Sequence, residues 1–141
     1  MSTVNSMVTV VDFVKELLEN ADLGLQDVFY GDQDFIPRFP AAVVEPNSLV
    51  EAPTTAGFSK ENHFQVMVMI FHSQLGSSEV TKRECDLAAE AVKDVLNADR
   101  QLGGLVTWGY VSSTDYGYAM RGKQTIQATR MLYEAISKGP M

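Results

Sequence analysis

The chain has 141 residues, of which 45% are hydrophobic, and this suits one domain with one core across residues 1–141, with flexible extreme termini. Its formal net charge of −7 at pH 7 excludes a basic face for nucleic acid or an anionic membrane, because both kinds of binding need clustered Lys and Arg. No apolar stretch approaches the ~20 residues that cross a bilayer, and no basic segment starts a secretion signal, so we expect a soluble protein made inside the cell.

Charge is unevenly distributed along the chain. Residues 1–40 hold seven acidic and two basic side chains, whereas residues 101–141 hold four basic and two acidic ones. Two interpretations stay open: two unrelated solvated surfaces, or a heterologous interface in which unlike patches of neighbouring subunits meet.

The first predicted element is a helix from Ser6 to about Asn20. Its apolar residues recur at steps of three and four, the spacing of a helix buried on one face: Val10, Phe13, Val14, Leu17, Leu18 and Ala21. Thr9 and Asp12 have the spacing of a capping pair. We expect the helix to end near Gly24, because glycine tolerates the left-handed conformation that is common after a helix end.

The following segment predicts little regular structure. Residues 26–40 contain two prolines, which remove backbone donors, and we expect an irregular acidic connection there. A short first strand is predicted at residues 41–45, closed by a turn at residues 46–48, and residues 49–59 are predicted to form a loop.

Residues 63–72 carry the strongest strand signal. Their apolar side chains alternate between two faces, with Phe64, Val66, Val68 and Ile70 on one and Met67, Met69 and Phe71 on the other. A strand that is apolar on both faces is expected at the centre of a sheet, with a helix covering one face. The cover of the other face stays open between a neighbouring subunit and a surface loop of the same chain.

A second helix is predicted from an N-cap serine at Ser77 or Ser78 to about Asn97. Its buried stripe is predicted to be Val80, Leu87, Ala88, Ala91, Val92, Val95 and Leu96. Strands are predicted at residues 105–113 and 122–134, with a hairpin connection over residues 117–122. The element order is then α-β-β-α-β-β, which indicates an α+β fold with a mostly antiparallel sheet of about four strands and both helices packed on one face.

The chain carries no residue pattern that indicates catalysis, a cofactor or a metal. His63 and His72 are nine residues apart on one predicted strand and hence on opposite faces, which excludes a shared metal site. The only cysteine, Cys85, lies between two acidic residues that disfavour the thiolate, and it indicates a reducing compartment. Neither a Gly-x-Ser-x-Gly elbow nor a phosphate-binding glycine loop occurs, so we expect no enzyme.

Aromatic residues concentrate in the last third of the chain. They are either interface anchors or ordinary core residues: Trp108, Tyr110, Tyr116 and Tyr118.

Six short motifs follow one another over about residues 8–138. They are FPAAVVEP at 39–46, TTAGF at 54–58, RECD at 83–86, NADRQLGGLV at 97–106, GYAMRG at 117–122 and ATR at 128–130. In order and spacing they resemble the tail terminator and tail completion proteins of tailed bacteriophages, a family that shares its fold with tail tube and head-to-tail joining proteins.

The resemblance implies a small α+β subunit of a ring, expected to be hexameric, that caps the finished tail tube and joins it to the head. Viral DNA would pass through the lumen without being read. The implied partners are further copies of this chain, the tail tube protein and a neck or connector protein. The protein would be assembled in the host cytoplasm and reside in the virion, with no cofactor and no membrane contact.

Three alternatives to the tail terminator remain. The nearest is a head-to-tail connector or adaptor ring of the neck, which would use the same fold. The other two are a metal-dependent hydrolase or nuclease that uses surface acids, and a monomeric adaptor or chaperone.

The candidate site residues are those that a ring subunit would use. For the subunit interface they are Arg121, Lys123, Tyr116, Tyr118, Phe58 and Arg38. Arg121 and Lys123 are expected to meet the acidic N-terminal region of a neighbour. The candidates for an acidic surface or lumen are Asp27, Asp32 and Asp34, because negative charge repels phosphate and lets a duplex slide.

Overall fold

The computed structural model describes residues 6–53, 59–74, 79–99 and 101–140. Their elements are α1 (Met7–Asn20), β1 (Asp27–Tyr30), β2 (Ala41–Pro53), β3 (Ser59–Gln74), α2 (Glu79–Ala98), a 3₁₀ turn (Leu102–Gly104), β4 (Trp108–Arg121) and β5 (Gln124–Pro140). The strands form one sheet in the order β1-β2-β3-β5-β4, in which only the β1–β2 pair is parallel. The predictions for the extreme termini, the N-cap serine and Phe58 lie outside the described residues.

Both helices pack on the same face of the sheet, as predicted. α1 contacts β1, β2 and β3, α2 contacts β3, β4 and β5, and the two helices also contact each other. One buried cluster joins them to the sheet, with Val14 and Leu18 from α1, Val92 from α2, and Phe64 and Tyr133 from the strands. We call this side of the sheet the helix face and the opposite side the second face.

The sheet has five strands where about four were expected, because β1 lies inside the segment that was predicted to be irregular. β1 pairs in parallel with residues 41–44 of β2 and forms one edge of the sheet. It has only four half-buried or exposed residues, too few to show an apolar period, although Val, Phe and Tyr favour strands. The observed order is therefore α-β-β-β-α-β-β.

The turn predicted at residues 46–48 and the loop predicted from residue 49 are wrong, since β2 continues to Pro53. The carbonyl of Val44 accepts a hydrogen bond from Gly31 N at 2.9 Å. The backbone polar groups of Val44, and those of Pro46 two residues further on, therefore lie on the outer side of β2. β1 pairs only as far as Val44, so no strand lies beside the backbone nitrogen of Pro46, and its lack of an N–H leaves no hydrogen bond unmade. A bulge between Pro46 and Ser48 absorbs the irregularity, and residues 49–53 pair with residues 60–64 of β3.

The first helix begins one turn earlier than the predicted capping pair indicates. Ser6 is the N-cap, and its Oγ accepts a hydrogen bond from Thr9 N at 3.3 Å. The predicted cap of Thr9 with Asp12 is therefore wrong. The helix ends at Asn20, before the expected stop at Gly24, and its fully buried residues are Val10, Val11, Val14 and Leu18.

The second helix is present, but its buried stripe is rotated from the prediction. The buried positions are Cys85, Ala89, Val92 and Leu96, at steps of four, three and four. Leu87 is 57% exposed and Ala91 is exposed, so both were wrongly assigned to the core. The small side chain of Cys85 fills the position that the sequence pattern missed.

The second face is covered at one end by a surface loop of the same chain. Residues 31–40 cross this face, and Ile36 packs against Met69, Phe71 and Ile126. Ile36 N donates to Gln124 Oε1 at 3.1 Å and Gln124 Nε2 donates back to Ile36 O at 3.0 Å, all within the buried interior. For this end of β3, the question left open by the sequence is settled in favour of the loop.

The last two strands form a longer hairpin than predicted. β4 includes residues 117–121, which had been predicted as the connection, and the turn is reduced to Gly122 and Lys123. Gly122 has φ of 61°, a conformation that glycine adopts without strain.

Among the described residues, no helix is long and apolar enough to span a membrane.

Candidate interaction surface

β4 lies at one edge of the sheet, with no strand beyond it among the described residues. Four of its side chains are large, hydrophobic and 40–68% exposed: Trp108, Tyr116, Tyr118 and Met120. A long exposed edge strand offers unpaired N–H and C=O groups to another chain, and aromatic residues are enriched at interfaces. β4 is therefore the candidate interaction surface, which we call the β4 edge.

The exposed side chains of the β4 edge lie on both faces of the sheet. Tyr116 and Tyr118 stand opposite Thr129 and Gln127 on the helix face, beside the beginning of α2. Trp108 lies on the second face and stacks on Tyr110, with 4.8 Å between ring centroids and 20° between ring planes. These aromatic residues are exposed or half-buried rather than ordinary core.

A small cleft separates Tyr116 and Tyr118 from α2. Its volume is about 160 Å³, and His72 and Cys85 line its inner part. His72 Nε2 shares a hydrogen bond of 2.9 Å with Thr129 Oγ1. Burial lowers the pKa of His72 to about 4, although the charge of nearby Asp86 opposes this effect, so the imidazole is neutral at pH 7.

The two histidines do not form a common site. His72 is bonded to Thr129 on the helix face, whereas His63 lies on the second face, with Nε2 at 2.7 Å from Glu61 Oε1. Their placement on opposite faces was predicted correctly. Within the described ranges, no group of three or more His, Cys, Asp or Glu side chains could hold a metal ion. His72 is buried on the helix face, at the bulge between Phe71 and Ser73.

Arg121 is bound within its own chain. Its Nε donates to Asp32 Oδ1 at 2.9 Å, and its guanidinium lies 5.1 Å from the centroid of the Phe71 ring. Only 18% of the Arg121 side chain is exposed. This contact joins the loop of residues 31–40 to the end of β4. Arg121 therefore fixes the position of this loop within its own subunit.

Arg38 is paired with a second acidic candidate in the same way. Its guanidinium donates to both carboxylate oxygens of Asp27, from Nε at 3.1 Å and from Nη2 at 2.5 Å, and the pairing raises the pKa of Arg38. Two predicted interface cations and two predicted lumen acids therefore meet each other inside one subunit. The sequence offered no signal for these pairings, because both depend on the tertiary path of residues 27–38.

The remaining candidates are available for contact. Lys123 is exposed in the β4–β5 turn, and Asp34 is exposed near it, with its carbonyl oxygen facing Gly122. Their roles at an interface or in a lumen stay predictions. Phe58 lies outside the described residues.

α1 carries an acidic surface in addition to the predicted lumen residues. Its exposed side carries Asp12, Glu16 and Glu19, with Asp22 just beyond the helix. Glu19 is paired with Lys15, whose Nζ lies 3.1 Å from Glu19 Oε1. The charge count of residues 1–40 anticipated this acidity, and three of its seven acidic residues lie on α1.

Away from the loop, the second face is open and partly polar. Ser48 Oγ donates to Gln65 Oε1 at 2.6 Å, and Gln65 Nε2 donates to Glu134 Oε1 at 3.2 Å. Tyr110 of β4 stands opposite Glu134, so the polar row leads across the sheet to the Trp108 stack. The sequence analysis missed this row, because its members lie on four different strands.

Comparison with known proteins identifies the fold. No family model matches the sequence, and no curated protein sequence matches it. The structure is similar to a chain in a solved structure described as the virion of a native gene transfer agent (GTA) particle. The two superpose with a TM-score of 0.69 at 13% sequence identity, over 96% of this chain and 100% of the other.

Proposed function

We propose that this protein is a structural subunit of a phage-like virion, which forms a ring at the end of the tail tube and joins the tail to the head. The observation that carries the proposal is the likeness to a virion component over nearly the whole of both chains. The motifs at residues 39–46 and 97–106, which resemble those of tail terminators, support the same conclusion from the sequence.

The requirements of tube termination favour a subunit of this shape. A tube of stacked identical rings has no intrinsic end, so the subunit that stops its growth must present one mating face and one different face. This fold has an acidic helix layer on one side and an open, partly polar sheet on the other. We propose that these two sides give the ring its two different surfaces, one for the tail tube protein and one for the neck protein.

The charge of the chain suits the passage of DNA. The net charge is −7, and an acidic lumen would repel phosphate and keep the duplex from sticking. We propose that Asp34, which is exposed, contributes most to this field. Asp27 and Asp32 contribute less, because each is paired with an arginine of its own chain.

The proposal is tested by mixing the purified protein with tail tubes and imaging the mixture by negative-stain electron microscopy. We expect a ring of subunits, proposed to be six, at one end of each tube, and tube growth that stops when the protein is added. Tubes that keep growing with bare ends at saturating protein would contradict the proposal. Assays of hydrolysis and nuclease activity with and without magnesium test the enzyme alternative, and a stable monomer at tube ends would support the adaptor alternative.

A further inference from the structure

Exposed hydrophobic residues are concentrated on the two opposite edges of the sheet. Of the ten large hydrophobic side chains that are exposed among the described residues, seven lie on edge strands. Four are on the β4 edge, and the other three are Tyr30 in β1 and Leu49 and Val50 in β2. β1 covers only residues 41–44 of β2, so the part of β2 that carries Leu49 and Val50 also lacks an outer neighbour. We call residues 49–52 the β2 edge.

The two edges carry matching apolar side chains on the helix face. Leu49 stands opposite Phe64, which belongs to the helix face, as do Tyr116 and Tyr118 on the other edge. Val50 stands opposite His63 on the second face, which is the face of Trp108. A sheet that continued from one copy to the next would therefore place Leu49 beside Tyr116 or Tyr118 on the helix face, whereas Trp108, eight residues from Tyr116 along β4, lies too far away to meet Val50 in the same register.

The strand directions are compatible with such a continuation. β4 is antiparallel to β5, β5 is antiparallel to β3, and β3 is antiparallel to β2. β4 and β2 therefore run in opposite directions, and a neighbour's β2 would meet β4 as an antiparallel strand, the arrangement with perpendicular hydrogen bonds.

Prolines, bulges and charged side chains keep an exposed strand from pairing with another chain, and their positions restrict the expected contact on β2 to residues 49–52. Pro46 and the adjacent bulge leave the first part of the exposed β2 segment without a regular row of donors, which discourages pairing there. The β2 edge lies beyond this protection. On β4, residues 114–120 contain no proline and no lysine, and their one charged side chain is the exposed Asp115.

We propose that the β4 edge of one copy binds the β2 edge of the next copy, so that the sheet continues from subunit to subunit around the ring. The contact is heterologous, because the two edges are different surfaces, and its repetition closes a ring when the rotations from copy to copy add up to one full turn without a rise along the axis. The β4–β5 turn with Lys123 then lies toward Glu45 of the neighbour, an acid outside the N-terminal region that the sequence predicted as the partner of Lys123. The inference rests on the proposed ring and adds the surfaces that build it.

Cysteine cross-linking tests the contact directly. The native Cys85 is buried, so wild-type protein supplies the background. Val50→Cys and Ser113→Cys place thiols at exposed positions on the second face of the two edges, and a flexible bismaleimide spans small differences in register. The double variant, assembled on tail tubes, should give a ladder of linked species up to the size of the ring. A mixture of the two single variants should stop at dimers.

Matched substitutions separate the edge from general surface effects. Tyr118→Lys places a charge on the β4 edge, whereas Leu87→Lys does the same on α2, at a side chain of similar exposure. In the double-cysteine background, Tyr118→Lys should abolish the ladder and Leu87→Lys should preserve it. Circular dichroism of each variant checks that the subunit remains folded.

Three results would overturn the inference. Dimers formed by the Ser113→Cys variant alone would show that two β4 edges meet each other. Rings that are visible at tube ends but give no ladder would exclude this pair of edges while leaving the proposed function standing. If neither rings nor ladders form in the presence of tubes, the proposed function and the inference both fail.

Discussion

At the scale of single residues, Tyr133 and Gly109 form the tightest constraint in the sheet. Tyr133 is among the largest fully buried side chains, and a β-carbon at position 109 would collide with its hydroxyl oxygen. Gly117, on the same strand, has no atom within 4 Å of the place where its β-carbon would lie. Only the first glycine is therefore required by packing.

We expect Gly109→Ala to lower the free energy of unfolding by about 1–3 kcal/mol, because overpacking a filled core forces side chains out of their preferred rotamers. Gly117→Ala is the matched control and should change it by no more than about 0.5 kcal/mol. Urea denaturation of both variants measures the difference. Equal effects of the two substitutions would show that Tyr133 does not impose the constraint.

His72 provides a prediction of pH dependence. Burial lowers its folded-state pKa to about 4, below the ordinary value of 6.5, so the unfolded chain takes up the proton first as the pH falls. The contribution of His72 to stability is therefore complete above pH 6.5 and is lost progressively down to about pH 4. Comparison of wild type with His72→Gln over this range should show the wild type losing stability relative to the variant. NMR titration of the imidazole checks the pKa itself, and a midpoint near 6.5 would contradict the buried position.

At the scale of elements, the loop of residues 31–40 is the part of the structure that most depends on distant contacts. Ile36 is fully buried under the second face, and the side chain of Gln124 satisfies both of its backbone polar groups. The ion pair of Arg121 with Asp32 adds a second attachment to the same hairpin. The loop is thus fixed to the end of the β4–β5 hairpin.

Gln124→Ala should cost about 2–4 kcal/mol, because it leaves a buried N–H and a buried C=O of Ile36 without partners. Gln101→Ala, at an exposed position, is the control and should cost no more than about 0.5 kcal/mol. Hydrogen exchange adds a local readout: the Ile36 amide should lose protection in the first variant, while the Val68 amide at the centre of the sheet should lose less. Unchanged protection at Ile36 would mean that Gln124 does not hold the loop.

The sequence predicted those elements whose signal is local. Both helices and the central strand have long apolar periods, and these were located within a few residues of their observed bounds. β1 was missed because four residues carry no period, and β2 was cut short because Pro46 breaks a strand everywhere except at an outer edge. The rotated stripe of α2 arose because Leu87 is apolar but exposed, a residue that the pattern alone cannot distinguish from core.

The candidate site was predictable in part for the same reason. Tyr116 and Tyr118 were selected for their aromatic character, and the structure places them at an exposed sheet edge. Arg121 and Arg38 were selected for their charge, yet each is paired with an aspartate of its own chain. Such pairings depend on the tertiary path of the loop, which no local pattern specifies.

At the scale of the whole molecule, the subunit is polarised in three ways. One face is covered by helices and the other is partly open, both helices carry an excess of acidic side chains, and exposed hydrophobic residues collect on opposite edges of the sheet. Polarity of this kind is what a ring between two different partners requires, because its top, bottom and sides make different contacts. The proposed ring uses the edges for self-association and leaves the two faces for the tube and the neck.

The most direct test of this account is to delete the gene from the genome that encodes the particles and to image the lysate by electron microscopy. The account predicts tail tubes that overgrow or fail to join heads, while capsids still fill with DNA, and rescue by the wild-type protein. Tails of normal length beside leaking heads would instead favour the connector ring. Tails of normal length attached to full heads would contradict the account.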